Sequence, residues 1–235
     1  MLIRPQNLRE NLQSVRDRIA AAAAHYARNV DSVTLLAVGK GQPAGVLAEA
    51  AALGLSDFGE NYLQEALPKL EALRPLGLTW HFIGQVQSNK TREIATHFDW
   101  VHTIDRLKIA QRLSEQRPPG LAPLQACVQV RVGDEPGKGG VAPAEAPALV
   151  AAMRELPGLR LRGLMCVPPA EPTLGAQRAW FAQVRALREA LCAGSPGLEL
   201  DTLSMGMSGD LEAAIAEGAT LVRIGTALFG PRRRD

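Results

Sequence analysis

The chain has 235 residues, 46% of them hydrophobic, enough to bury one substantial core. A formal net charge of +2 gives no electrostatic case for a nucleic-acid partner, and no apolar run approaches membrane-spanning length. Cys127, Cys166 and Cys192 are odd in number and set in apolar surroundings, so they read as reduced thiols of a cytoplasmic protein rather than a disulfide framework.

In chain order, Leu8, Leu12, Val15, Ile19 and Ala23 recur at three- and four-residue spacing and predict a long helix over about 5–28. Met1 to Asn11 is polar and holds no apolar signal core. A first strand follows at about 33–38. Its run Leu35-Leu36-Ala37-Val38 has no polar alternation, the mark of a strand buried on both faces of a parallel sheet. Pro43 opens a helix that Gly54 stops. Asp57 to Glu60 is a short second strand, followed by a helix over 62–73. The third strand, 79–84, is aromatic and β-branched. Ser88 reads as the cap of a helix reaching His97. The fourth strand is 100–104, and Asp105 reads as the cap of a helix over 106–116. The fifth strand, 124–132, runs into a loop, Gly133-Asp134-Glu135-Pro136-Gly137-Lys138-Gly139-Gly140, and a helix over 144–155. The sixth strand, 159–167, breaks at Pro168-Pro169 before a long helix over 174–193. The seventh strand is 200–203, and Gly206 to Asp210 turns into a helix ending near Gly218. The eighth strand is 221–224, followed by Gly225-Thr226, and the chain ends soon after.

Eight strands, each followed by a helix or helical turn, predict an α/β fold of parallel strands with crossover helices, closed into a single (β/α)8 barrel with an extra N-terminal helix. An open doubly wound sheet is the alternative, but no GxGxxG follows the first strand. No low-complexity linker divides the chain, so residues 1–235 read as one domain.

A barrel gathers its reactive groups at the C-terminal ends of its strands. The first strand delivers Lys40 between two glycines. Only five of the 26 basic residues are lysines. Arginine stays protonated, whereas a lysine in an apolar pocket can lose its proton and attack a carbonyl. The alternative is a lysine that reaches from the strand end into water. The second strand delivers Glu60 and Asn61. The loops after the seventh and eighth strands, the usual phosphate site of this fold, read Gly206-Met207-Ser208-Gly209 and Gly225-Thr226. Both supply glycines for close approach and a hydroxyl donor, and the first leads into a helix N-terminus. A lysine facing a phosphate site suits a phosphorylated aldehyde held as a Schiff base. Pyridoxal 5′-phosphate (PLP) fits, with Arg223 bonding the pyridine nitrogen and leaving it unprotonated, which weakens the ring as an electron sink. A phosphosugar aldolase needs the same lysine and phosphate site, but also an acid–base pair that the sequence does not nominate.

Several ordered motifs extend this reading: Phe58-Gly59-Glu60-Asn61-Tyr62, Trp80-His81-Phe82-Ile83-Gly84, Gln87-Ser88-Asn89-Lys90, Leu161-Arg162-Gly163-Leu164-Met165, Leu203-Ser204-Met205-Gly206-Met207-Ser208 and Val222-Arg223-Ile224-Gly225-Thr226. Together they resemble the pyridoxal phosphate homeostasis protein family from about Leu8 to Gly230. The resemblance implies a barrel like the N-terminal domain of alanine racemase. It implies that Lys40 holds PLP as a Schiff base, that Ser208, Gly225 and Thr226 hold the phosphate, that Arg223 faces the pyridine nitrogen, and that Asn61 and Met207 line the pocket. Family members are carriers or regulators of the cofactor, which implies PLP-dependent apoenzymes as recipients. The chain departs from the family pattern in four places. Gly39 stands where a serine usually precedes the lysine, and Gln85-Val86 replaces Pro-Leu. Gly137-Lys138-Gly139-Gly140 loses two hydroxyls around Lys138, which leaves open whether that lysine is an accessory cofactor contact. Gly209 replaces the first of an acidic pair.

An amino-acid racemase is the competing function. Two-base racemisation needs a second base opposite the lysine, which in alanine racemase is a tyrosine from a second domain. Here the sequence stops just after the eighth strand and holds only Tyr26 and Tyr62. No catalytic residue is therefore assigned. His25, His81, His97 and His102 lack metal-ligand spacing, and His81 and His102 are expected to be packed or hydrogen-bonded inside the barrel. Ser88 and Ser208 have no recognisable His–Asp partners. Monomer and weak dimer both remain open.

Overall fold

The computed structural model describes residues 8–133 and 139–231. Eight strands form its centre: β1 (Thr34–Val38), β2 (Asp57–Glu60), β3 (Thr79–Phe82), β4 (Trp100–Ile104), β5 (Leu124–Gln129), β6 (Leu159–Met165), β7 (Thr202–Ser204) and β8 (Leu221–Ile224). Each pairs in parallel with its sequence neighbour. β8 returns to β1 with Thr34 opposite Leu221 and Ala37 opposite Ile224, so the barrel is closed and no sheet edge is left. The expected (β/α)8 architecture is the observed one.

Helices cover the outside: α1 (Leu8–His25), α2 (Ala44–Ala52), α3 (Leu63–Leu73), α4 (Thr91–His97), α5 (Leu107–Glu115), α6 (Ala146–Arg154), α7 (Leu174–Ala193), α8 (Leu211–Ala216) and α9 (Thr226–Phe229). The apolar stripe of α1 (Leu8, Leu12, Val15, Ile19) is buried, and the helix packs against α8 and α9. Polar ties fix this contact. Arg18 forks onto Glu212 at 2.7 and 2.9 Å, Arg28 donates to the carbonyls of Ile215 and Ala219, and the Asn11 amide donates to Leu228 O. Among the described residues no helix is long and apolar enough to cross a membrane.

Several boundaries differ from the sequence expectation, each for a local reason. The fifth strand ends at Gln129; beyond it Val130 still donates to Met165 O but bridges to Val141, on the chain after the loop. The sixth ends at Met165, ahead of the Pro168-Pro169 break. The seventh runs Thr202–Ser204, because its pairing with β6 begins only where Thr202 stands opposite Gly163. Ser88 does not cap with its hydroxyl. It lies in a short 3-10 turn, and its carbonyl accepts from Thr91 Oγ1 and Arg112 Nε. Asp105 does not cap α5 either, since its carboxylate takes the guanidinium of Arg106. The four-residue α9 is too short to leave a periodicity and was not expected.

Candidate functional site

Lys40 follows β1 after the single residue Gly39, and the ladder sets its neighbours. Ala37 opposite Phe58 and Val38 opposite Gly59 bring the end of β2 alongside on one flank. On the other flank, Ala37 opposite Ile224 brings Gly225 against Val38, whose Cβ lies 3.5 Å from where a side chain would begin on that glycine. Lys40 is half-buried, with its Nζ 5.2 Å from the ring centroid of Tyr62. Asn61, next in the chain after β2, is half-buried too. Its carbonyl packs so closely on Gly84 that any Cβ there would collide with it.

The turns after β7 and β8 sit side by side. Gly206 adopts a φ of +96°, and a Cβ there would lie 2.6 Å from that of Ala214, so only glycine makes this turn. Asp210 Oδ1 accepts the Met207 N–H at 2.5 Å, and Arg18 Nη2 donates to Ser208 O at 3.0 Å, so α1 braces the first turn from outside. The Ser208 hydroxyl accepts the Ala227 N–H at 3.2 Å and links it to the second. Among the described residues no hydrogen bond takes up the N–H groups of Ser208, Gly209, Gly225 or Thr226. Two adjacent turns with unpaired amides and a hydroxyl between them suit an anion of phosphate size. The helices that follow are only six and four residues long, so the anion would be held by these amides and the hydroxyl and not by a helix dipole.

Arg223, on β8, is buried at 5% exposure. Nη1 donates to Ser204 O at 2.6 Å and to Ser204 Oγ at 2.9 Å, and Nη2 donates to Cys166 O at 2.9 Å. Three acceptors fix the guanidinium plane. Among the described residues, the Nε–H and one Nη2 N–H remain uncommitted. Burial presses the Arg223 pKa down and pushes the neighbouring Cys166 and Cys127 thiols up to about 12, so both thiols stay protonated. All three cysteines are free, and no group of three or more His, Cys, Asp or Glu among the described residues could hold a metal.

The fold thus brings Lys40 and Asn61 together on one side of the mouth, and Ser208, Gly225 and Thr226 together on the adjoining side. Met207 lies on the same turn but is 39% exposed, at the rim rather than in an enclosed wall. Lys138 lies outside the described residues.

The sequence reading placed Glu60 at the end of the second strand but missed its partner beneath the lysine, Lys69. Glu60, the last residue of β2, is fully buried and pairs with Lys69 of α3 at 2.8 Å. Lys69 Nζ also donates to Gly39 O at 2.9 Å, the carbonyl immediately before Lys40. Glu60 Oε2 has no hydrogen-bond partner. Burial raises the Glu60 pKa, although Lys69 pulls it back. Gly39 makes the arrangement possible, because a Cβ there would lie 2.7 Å from Glu60 Oε1. A trace was present in the sequence: Lys69 stands three residues after Ala66 and four before Leu73, on the apolar stripe of its helix.

A cavity of about 290 Å³ lies elsewhere, at the N-terminal ends of β6 and β7. It offers no reactive group. Arg162 there forks onto Asp201 and donates to Gln125, and nothing nucleophilic lines the space.

Comparison with known proteins agrees with the fold. The pattern of the family described as alanine racemase, N-terminal domain, matches residues 3–233. A pyridoxal phosphate homeostasis protein of Pseudomonas aeruginosa is 60% identical over 223 residues, covering 95% of each chain. One from Escherichia coli is 50% identical over 229 residues, covering 96% of this chain and 97% of its own. Among solved structures, PipY of Synechococcus elongatus with PLP bound superposes with a TM-score of 0.84 at 39% identity, over 95% of this chain and all of PipY. The chain belongs to the alanine racemase N-terminal domain family and, within it, to the pyridoxal phosphate homeostasis proteins.

Proposed function

We propose that this chain, as one barrel domain over residues 1–235, holds PLP as a Schiff base on Lys40 and stores it for delivery to PLP-dependent apoenzymes. The observation that carries the reading is the pairing of two unlike features at one mouth. An amine-bearing residue stands at the end of β1, and four unpaired amides with the Ser208 hydroxyl stand at the ends of β7 and β8. The residues fit the cofactor. The anion cradle takes a phosphate, the Lys40 amine takes an aldehyde, and Arg223 keeps uncommitted N–H donors for a ring nitrogen. When bound, PLP supplies an aldehyde that condenses with amines and a ring that withdraws electrons. Lys40 anchors, Asn61 and Met207 flank, Ser208, Gly225 and Thr226 orient the phosphate, and Arg223 donates to the ring. An arginine donor keeps the ring nitrogen unprotonated, which favours holding the cofactor over carbanion chemistry. PLP in a relative 39% identical, and the homeostasis name of relatives at 50% and 60%, support the same reading.

A carrier that does not turn over amino acids is also favoured by its tyrosines. Tyr26 lies in the turn directly after α1, its ring edge-on to His25 and under Arg178. Tyr62 lies against Lys40 itself, so among the described residues no tyrosine stands as an independent second base.

The test is the visible spectrum on adding PLP, followed by borohydride reduction and peptide mapping. The expected result is a yellow band and a reduced adduct on Lys40, both lost in Lys40→Ala, with no interconversion of D- and L-amino acids. An adduct on another lysine overturns the site, and racemisation at enzymatic rates overturns the carrier role.

A further inference from the structure

Polar side chains cross the barrel interior in an unbroken row. Asp57 stands at the N-terminal end of β2, its side chain 25% exposed, and its Oδ1 lies 3.1 Å from His81 Nε2 of β3. His81 Nδ1 lies 2.9 Å from His102 Nε2 of β4. His102 Nδ1 lies 2.7 Å from Ser204 Oγ at the C-terminal end of β7, and Ser204 Oγ accepts from Arg223 Nη1 at 2.9 Å. His81, His102, Ser204 and Arg223 are all buried, with exposures of 1%, 0%, 0% and 5%. The row therefore runs from the end of the barrel opposite Lys40 up to Arg223.

The carboxylate end decides where every proton sits. A guanidinium only donates and a carboxylate only accepts. Arg223 gives an N–H to Ser204 Oγ. At the far end Asp57 accepts, so His81 carries its proton on Nε2 and, when neutral, offers Nδ1 as an acceptor. His102 must then carry its proton on Nε2 and offer Nδ1, and the Ser204 hydroxyl donates to that nitrogen. All the bonds point one way, from Arg223 to Asp57. Burial holds both imidazoles below their ordinary pKa, which keeps them neutral as this arrangement requires. Trp100 stacks on His81 with centroids 5.4 Å apart and limits its rotation.

We infer that Asp57, His81, His102 and Ser204 are positioning residues for Arg223, a one-directional hydrogen-bond chain through which the far end of the barrel sets the orientation of the guanidinium. The chain commits one Nη1 proton to Ser204 Oγ, beside the bonds to the two backbone carbonyls. The uncommitted Nε–H is thereby held in one place. This inference rests on the reading that Arg223 faces the cofactor ring, but its proton arrangement belongs to the protein alone.

The test has two parts. In the protein without cofactor, long-range nitrogen–proton NMR of the imidazoles at pH 7 reads the tautomers directly. Both His81 and His102 are expected neutral with the proton on Nε2. Ser204→Ala removes only a hydroxyl, and it is expected to shift the His102 Nδ1 signal toward that of an unbonded nitrogen. Asp57→Ala acts at a partly exposed side chain and is expected to shift both histidines. An Nδ1–H tautomer or an imidazolium at either position in the parent protein overturns the chain. In the PLP-loaded protein, Ser204→Ala and Asp57→Ala are each expected to shift the visible band in the direction that Arg223→Lys shifts it, by less. A band moved by Arg223→Lys but by neither of the others overturns the positioning role. A band unmoved by Arg223→Lys overturns the ring contact instead, and the imidazole spectra still decide the chain.

Discussion

Strand β2 carries a carboxylate at each end, and their surroundings push them in opposite directions. Burial raises both. At Asp57 the hydrogen bonds from His81 and Ser56 outweigh it, and the pKa falls below its ordinary value. At Glu60, fully buried, Lys69 is not enough to offset burial, and the pKa rises. Two donors over two oxygens satisfy Asp57, whereas one donor over two oxygens leaves Glu60 Oε2 without a partner. Asp57 combines two donors with partial exposure and Glu60 combines one donor with full burial, so the two carboxylates shift in opposite directions. Asp57 anchors an inward row of neutral groups, and Glu60 braces the backbone under Lys40.

Removing the single cation from the Glu60 side produces the largest effect expected. Lys69→Met leaves a carboxylate buried without compensation and frees the Gly39 carbonyl, a class of change that costs about 3–5 kcal/mol. The double variant Glu60→Gln/Lys69→Met should recover much of that loss, because no charge remains buried. Urea unfolding of the three proteins measures both quantities, and a loss below about 1 kcal/mol in Lys69→Met contradicts a tightly coupled pair.

The pH dependence of stability separates the ends of β2 more finely. His81 faces Asp57, Asp99 and His102, and His102 faces His81 and Arg223. Both are held below 6.5, so under that pH the unfolded chain binds more protons than the native one and stability falls. Two such histidines give a slope of up to about 2.7 kcal/mol per pH unit until the lower native values are reached. The carboxylates act with opposite signs. The lowered Asp57 adds stability above its ordinary value of 3.8, lost as pH falls through the native value. The raised Glu60 removes stability as pH climbs from 4.5 through its native value. Chemical unfolding from pH 4 to 8 should therefore be steeper between pH 5 and 6.5 in the parent than in His81→Phe. Glu60→Gln should flatten the opposing component.

This contrast also marks how far the sequence could be read. Strand number, parallel order and barrel closure followed from apolar runs alternating with helical periodicity, since each is a local pattern. Lys40 and the two glycine-rich turns were visible because their chemistry and their strand ends coincide within a few residues. The expectation that His81 and His102 are hydrogen-bonded inside the barrel holds, but their partners were not legible. His102 and Ser204 are 102 residues apart and meet only through the register of the closed sheet. Ser88 and Asp105 misled for the opposite reason. Both are good capping residue types, yet Ser88 falls in a 3-10 turn that holds it off the N-cap position of α4, and the Asp105 carboxylate is taken by Arg106 next door.

Gly39→Ser is the finest probe of the Glu60 end. The serine that the family usually places before the lysine would set its Cβ 2.7 Å from Glu60 Oε1 and 3.0 Å from both methyls of Leu47. Glu60 cannot turn away freely, because it is fully buried and tied to Lys69. The substitution should destabilise by about 1–3 kcal/mol, the usual range for overpacking. Glu60→Ala in the same background relieves the contact and should make the serine nearly neutral. That non-additivity, read as a double-mutant cycle, distinguishes a clash with Glu60 from a general intolerance of side chains at position 39. Additive losses would mean that Leu47, not the carboxylate, sets the limit, and that the brace under Lys40 tolerates a serine as well as a glycine.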